Sequence, residues 1–129
     1  MKLRSLGFFV GLLALLTACD KPQFSQLDAG QTGITFANRI TETDSINILD
    51  YEYVYNGGGV GVADFNGDGL PDVYFSGNQV ANRLYLNKGD FKFEDITEKS
   101  GATGGGKWCS GVALVDINAD GRMDIYVGA

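Results

Sequence analysis

Short runs of β-branched and aromatic residues, separated by polar turns rich in glycine, dominate the chain from residue 57 onward. Val60 to Phe65, Val73 to Ser76, Arg83 to Leu86 and Phe91 to Ile96 each have strand composition. Leu84 and Leu86 alternate with Tyr85, and Phe91 and Phe93 alternate with Lys92 and Glu94. A period of two places alternate side chains on opposite faces of a strand. Asn87-Lys88-Gly89-Asp90, between the third and fourth runs, is a hairpin turn signal. Upstream, Gly33-Ile34-Thr35-Phe36 reads as a further strand. In Ile46 to Tyr55 the alternation of Tyr51, Tyr53 and Tyr55 predicts a strand with tyrosines along one face. Such a stripe suits sheet packing first and sugar stacking second.

The pattern repeats. Gly111-Val112-Ala113-Leu114-Val115 matches Gly59-Val60-Gly61-Val62-Ala63, and Ile125-Tyr126-Val127 matches Val73-Tyr74-Phe75. Four strands in about 50 residues, repeated in tandem, predict an all-β fold of β-propeller blades, each of four antiparallel strands. About one and a half blades fit in the sequence. A half-blade leaves an open strand edge, so the chain reads as an incomplete propeller, the N-terminal piece of a larger lipoprotein, marginal or aggregation-prone alone.

Between the first two strands of each repeat lies an acidic loop. Asp64, Asn66, Asp68 and Asp72 occupy positions 1, 3, 5 and 9 of the first, and Asp116, Asn118, Asp120 and Asp124 occupy those of the second. Oxygen donors at alternating positions of a tight loop suit Ca²⁺, which takes six to eight oxygens in irregular geometry. The backbone carbonyls of Leu70 and Arg122 complete the two donor sets. Gly69 and Gly121 allow the sharp turn. Crowded carboxylates repel one another unless a cation sits among them. The plain alternative is a polar turn, which also favours Asn, Asp and Gly. The sequence argues against an EF-hand, because position 12 is Phe75 or Val127 rather than Glu and the flanks read as strands.

The start of the chain has a different character. Lys2 and Arg4 precede an apolar run from Leu6 to Ala18, which is shorter than a membrane span. Residues 1–18 read as a signal peptide. Leu16-Thr17-Ala18-Cys19 resembles a bacterial lipobox, with Cys19 lipidated as the mature N-terminus. The organisation that follows is a lipid-anchored linker over 19–31, lead-in strands over 32–56, a first blade over 57–101 and a partial second blade over 102–129. Export and lipid anchoring at an outer membrane or cell surface are expected, although Asp20 retains lipoproteins at the inner membrane in some Gram-negative bacteria.

Loss of Lys2 and Arg4 changes a net charge of −6 to −8. An acidic chain without a basic stripe argues against nucleic acid as a partner. The sequence has no histidine, which removes His-based catalysis and His metal ligands. Cys109 opens an apolar run and reads as a small buried residue. Gly101 to Lys107 nearly spells a phosphate-binding loop, but Trp108 stands where Ser or Thr would hold Mg²⁺. No residues outside the acidic loops form a catalytic constellation, so no enzyme activity is expected of this segment.

Gly-Val, an Asp-x-Asn-x-Asp-Gly-x-x-Asp loop and an aromatic strand together resemble the FG-GAP/VCBS repeat of integrin α-subunit propellers and bacterial surface proteins. Phe93-Glu94-Asp95-Ile96-Thr97-Glu98-Lys99-Ser100-Gly101 resembles the end of such a blade. Residues 31–56 are similar to the lead-in of lipoproteins whose propellers continue into a cartilage-acidic-protein-like domain. The resemblance implies Ca²⁺ in both loops on the residues named above. It also implies a protein or glycan ligand, and a binding rather than catalytic role. Alternatives are a non-catalytic part of a larger polysaccharide- or lipid-acting enzyme, or a passive structural lipoprotein. In the second loop Ala119 replaces the usual glycine of position 4, a change expected to matter little.

Overall fold

A computed structural model describes residues 23–129. The expected signal peptide over 1–18 and the expected lipidation site Cys19 lie outside the described residues.

The chain forms a short helix α1 (Ala29–Thr32) and then β1 (Val60–Ala63), β2 (Asp72–Phe75), β3 (Arg83–Asn87) and β4 (Phe93–Asp95). A helix α2 (Thr97–Ser100), a 3₁₀ turn (Gly104–Gly106), β5 (Val112–Val115) and β6 (Asp124–Val127) follow. The first four strands make one antiparallel meander in the order β1-β2-β3-β4, and β5 and β6 form a second, two-stranded sheet. The fold is all-β: one four-stranded blade and two strands of another.

Register explains how the two sheets meet. Gly61 opposes Tyr74, and Tyr74 opposes Leu84, so these residues share one face. Tyr74 and Leu84 are buried there. On the same face a Cβ at Gly61 would lie 2.9 Å from Val112 Cγ1 and 3.0 Å from Leu114 Cδ2. Glycine at this position lets the β1 backbone approach β5 closely. Val60 and Val62 stand on the opposite face and are exposed.

That opposite face is partly covered by residues 33–41, and here the expected strand over Gly33–Phe36 is not found. The segment is extended and alternates between half-buried and exposed residues, but it crosses the face of the blade and does not pair along an edge. Phe36 stacks on Phe75 at 4.9 Å and 15°. The Thr35 amide donates to Tyr85 Oη at 3.3 Å. The Asn38 side chain exchanges two hydrogen bonds with Asn78, and Thr41 exchanges two with the Gln79 side chain. A chain lying on a face has no edge carbonyls or amides to pair with, so side chains hold it instead. The start of this strap is set by a capping box in which Asp28 and Gln31 bond each other's backbone amides.

The expected tyrosine strand over 46–55 is also absent. Asn47 Oδ1 accepts from the amides of Leu49 and Asp50, and Asn47 Nδ2 donates to the carbonyls of Thr43 and Asp44. A side chain that captures this much local backbone favours turns over a ladder. The outcome inverts the expected face: Val54 is fully buried, while Tyr51, Tyr53 and Tyr55 are exposed.

A buried polar knot joins strap, blade and second sheet at the β2–β3 turn. Asn82 Oδ1 accepts from the Gly77 amide at 2.8 Å, and Asn82 Nδ2 donates to Tyr74 Oη at 2.7 Å. Asn78 Nδ2 donates to the carbonyls of Gly57 and Cys109. Cys109 is buried and free, as its place in an apolar run predicts. Among the described residues no buried side-chain polar atom lacks a partner.

Candidate metal loops

Each acidic loop closes a two-stranded hairpin, the first between β1 and β2 and the second between β5 and β6. The sequence folds this way because the first Asp of each loop draws in the amides that follow it. Asp64 Oδ1 accepts from Gly67 and Asp68, and Oδ2 accepts from Gly69. Asp116 Oδ1 accepts from Asp120, and Oδ2 accepts from Gly121. Asn66 and Asn118 accept from the amides of Asp68 and Asp120, and Asp68 and Asp120 accept from those of Leu70 and Arg122. The final Asp of each loop accepts from the residue after the first: Asp72 from Phe65, Asp124 from Ile117. Two segments that begin 52 residues apart thus share one hydrogen-bond pattern, apart from the bond of the Gly67 amide.

Gly67 and Gly69 have φ of 79° and 82°, and Ala119 and Gly121 have φ of 58° and 83°. Ala119 is therefore not a neutral replacement, because a left-handed Cβ-bearing residue is strained by roughly 1–2 kcal/mol. The second loop also lacks the bond from the fourth-position amide that Gly67 makes in the first. Ala119→Gly should raise stability by up to about 1 kcal/mol in chemical denaturation. A loss of stability would show that Ala119 makes contacts that outweigh its backbone strain.

Electrostatics also separates the loops. The backbone amides, that of Gly69 foremost, hold the Asp64 carboxyl below the ordinary carboxylate range. In the second loop the Arg122 side chain has the largest effect and lowers the Asp120 carboxyl. Arg122 Nη2 lies 3.0 Å from Asp120 Oδ2.

The donors are all oxygen, as Ca²⁺ and Mg²⁺ prefer. A carboxylate offers about four lone-pair sites. Asp64 uses three on backbone amides, while Asp68 uses one on the Leu70 amide and one on Asn66 Nδ2. Asp72 is fully buried and uses both oxygens, on Phe65 and on the Asn87 amide of β3. Acceptor capacity therefore remains in both loops, and the residues fit an oxygen-liganded cation. Among the described residues, however, no three acidic side chains converge tightly enough to form a metal-holding group. Each loop is organised around its own amides. Asp64, Asn66, Asp68, Leu70 and Asp72 are brought into one loop, and Asp116, Asn118, Asp120, Arg122 and Asp124 into the other.

Sequence reasoning did not single out Asn78 and Asn82, which read as ordinary turn residues between strands. It also passed over Trp108 as a residue that faces a neighbour. The Ser76-Gly77-Asn78 cluster between two apolar runs was the available signal.

Cartilage acidic protein 1 of Xenopus tropicalis is 36% identical over 75 residues, covering 57% of this chain and 12% of its own length. The Homo sapiens protein of that name is 35% identical over 75 residues, covering 57% and 11%. Integrin alpha-PS5 of Drosophila melanogaster is 38% identical over 85 residues, covering 58% and 8%. The chain thus spans about a tenth of the length of these relatives. No solved structure matches it. Both acidic loops and all six strands but the first fall wholly within the matched stretch, and on this ground residues 64–127 belong to the FG-GAP-like repeat family.

Proposed function

We propose that this chain is a calcium-binding repeat segment of a lipid-anchored surface protein, and that it serves binding rather than catalysis. FG-GAP-like repeats of the integrin-α kind are protein- or ligand-binding repeats. The observation that carries the calcium reading is the duplicated loop, in which the same oxygen donors are arranged by the same backbone bonds save that of the fourth-position amide. The ions are structural: they relieve repulsion among the carboxylates and brace the β1–β2 and β5–β6 turns. The ligand set is Asp64, Asn66, Asp68, Asp72 and the Leu70 carbonyl, with Asp116, Asn118, Asp120, Asp124 and the Arg122 carbonyl in the second loop. The lipobox-like Leu16-Thr17-Ala18-Cys19 supports anchoring of the mature chain through Cys19 at an outer membrane or cell surface. The partner is a protein or a glycan.

Titration calorimetry with Ca²⁺ tests the reading. Two sites per chain are expected, the second weaker because Arg122 competes for Asp120 and Ala119 strains the turn. Arg122→Ala should tighten the weaker site several-fold and leave the other unchanged. Heat-silent titration at millimolar Ca²⁺, or two sites untouched by Asp68→Ala and Asp120→Ala, would overturn it.

A further inference from the structure

The meander places its turns at two ends. The β1–β2 acidic loop and the β3–β4 hairpin lie at one end, where Asn87 bonds Asp72 and the Pro71 carbonyl. The β2–β3 turn and the connection from β4 to β5 lie at the other. There the Cys109 amide donates to the Gly77 carbonyl at 3.0 Å, and the Asn82 amide donates to the Thr103 carbonyl at 3.1 Å. This second end carries an aromatic cluster built from distant parts of the sequence. Tyr51 meets Trp108 edge-on at 5.7 Å and Tyr53 edge-on at 6.3 Å. Tyr51 is 43% exposed and Tyr53 62%. Trp108 also forms one wall of a cleft of about 350 Å³, with Asn78, Gln79, Val80 and Lys107 among its other walls.

We propose that Tyr51, Tyr53, Trp108 and the adjoining cleft bind a neutral oligosaccharide. The inference rests on the reading of the chain as a surface binding segment and specifies the partner class. Five observations favour a sugar. Exposed aromatic faces carry partial negative charge and attract the slightly positive C–H groups of a pyranose ring. The cleft is of small-ligand size, whereas a stable protein partner needs about 800 Å² on each side. The cleft mixes polar and apolar walls and is pre-organised. Asn78 and Gln79 are tied to Asn38 and Thr41 of the strap, so these walls are already held before a ligand arrives. The exposed Lys107 at its rim offers donors to sugar hydroxyls. The chain is net acidic, which disfavours an anionic ligand, and the cleft is lined by Lys107 and no carboxylate, which disfavours a cationic one and leaves a neutral ligand.

Trp108 is the sole tryptophan of the chain, so its emission reports on this cluster alone. Fluorescence titration of the chain with α- and β-linked neutral hexose oligosaccharides should give a saturable shift. Tyr53→Ala should weaken that binding at least tenfold. Tyr126→Ala, on an exposed residue of β6, should leave it unchanged. A flat response across the panel, binding indifferent to Tyr53→Ala, or saturation by a proline-rich peptide and by no sugar would each overturn the proposal. Calcium calorimetry on the same sample keeps the two readings apart. Two calcium sites with a flat fluorescence titration would remove the sugar site alone, and a sugar-dependent shift without calcium heat would remove the calcium reading alone.

Discussion

Asn82→Ala should be the most damaging single substitution among the described residues. Asn82 is 1% exposed, and its amide group spans the β2–β3 turn. Truncation removes the acceptor for the Gly77 amide and the donor to Tyr74 Oη, both in a dry environment. A buried polar group left without a partner costs roughly 1–3 kcal/mol, so a loss of about 2–4 kcal/mol is expected. A domain of this size has on the order of 5–15 kcal/mol in total. The cavity would also open beside Gly104, where the Asn82 amide group leaves no room for a Cβ. Denaturant unfolding followed by circular dichroism measures the effect. A change below about 0.5 kcal/mol would mean that water replaces the amide and that the knot is not a source of stability.

Asp72→Ala ranks second and separates two roles within one loop. Asp72 accepts from Phe65 at 2.9 Å and from Asn87 at 2.8 Å, so it ties the acidic loop to β3. Its loss strands two amides and should cost roughly 2–4 kcal/mol in chelator as well as in calcium. Asp68 is exposed and bonds only within its own loop. Asp68→Ala should therefore be nearly silent in chelator and show its effect only when calcium is present. Equal losses for the two variants in chelator would contradict this division of roles.

How much of this was legible in the sequence depended on whether a residue's bonds are local. The loops could be read because their spacing is local: each Asp, Asn and Gly acts within nine residues, and the same pattern recurs. The four strands of the blade could be read because composition and turn chemistry agree, although the fourth proved shorter than Phe91–Ile96. Residues 33–55 could not. Gly33–Phe36 has strand composition, but its side chains pack on a face, and composition does not distinguish a face from an edge. The tyrosine alternation at 51–55 lost to Asn47, whose side chain gathers four backbone groups. Trp108 meets Tyr51, far away in sequence, and Asn82 bonds Gly77 and Tyr74 nearby but through burial that no local composition marks. The acidic loops also sit at the end of the blade away from the aromatic cluster. Calcium is therefore expected to brace the fold rather than to shape that cluster.

Thermal unfolding in Ca²⁺, in Mg²⁺ and in chelator tests the calcium reading most directly. Extracellular calcium modules bind at about 10⁻⁴–10⁻³ M, and at ten times the dissociation constant each site adds roughly 1.4 kcal/mol. With both loops filled, Tm should rise by roughly 10 °C or more for a chain of this size. The rise should appear with Ca²⁺ and not with Mg²⁺, and it should vanish in the variant carrying Asp68→Ala and Asp120→Ala. A cooperative melt at one temperature in all three solutions would contradict the account and reduce both loops to polar turns.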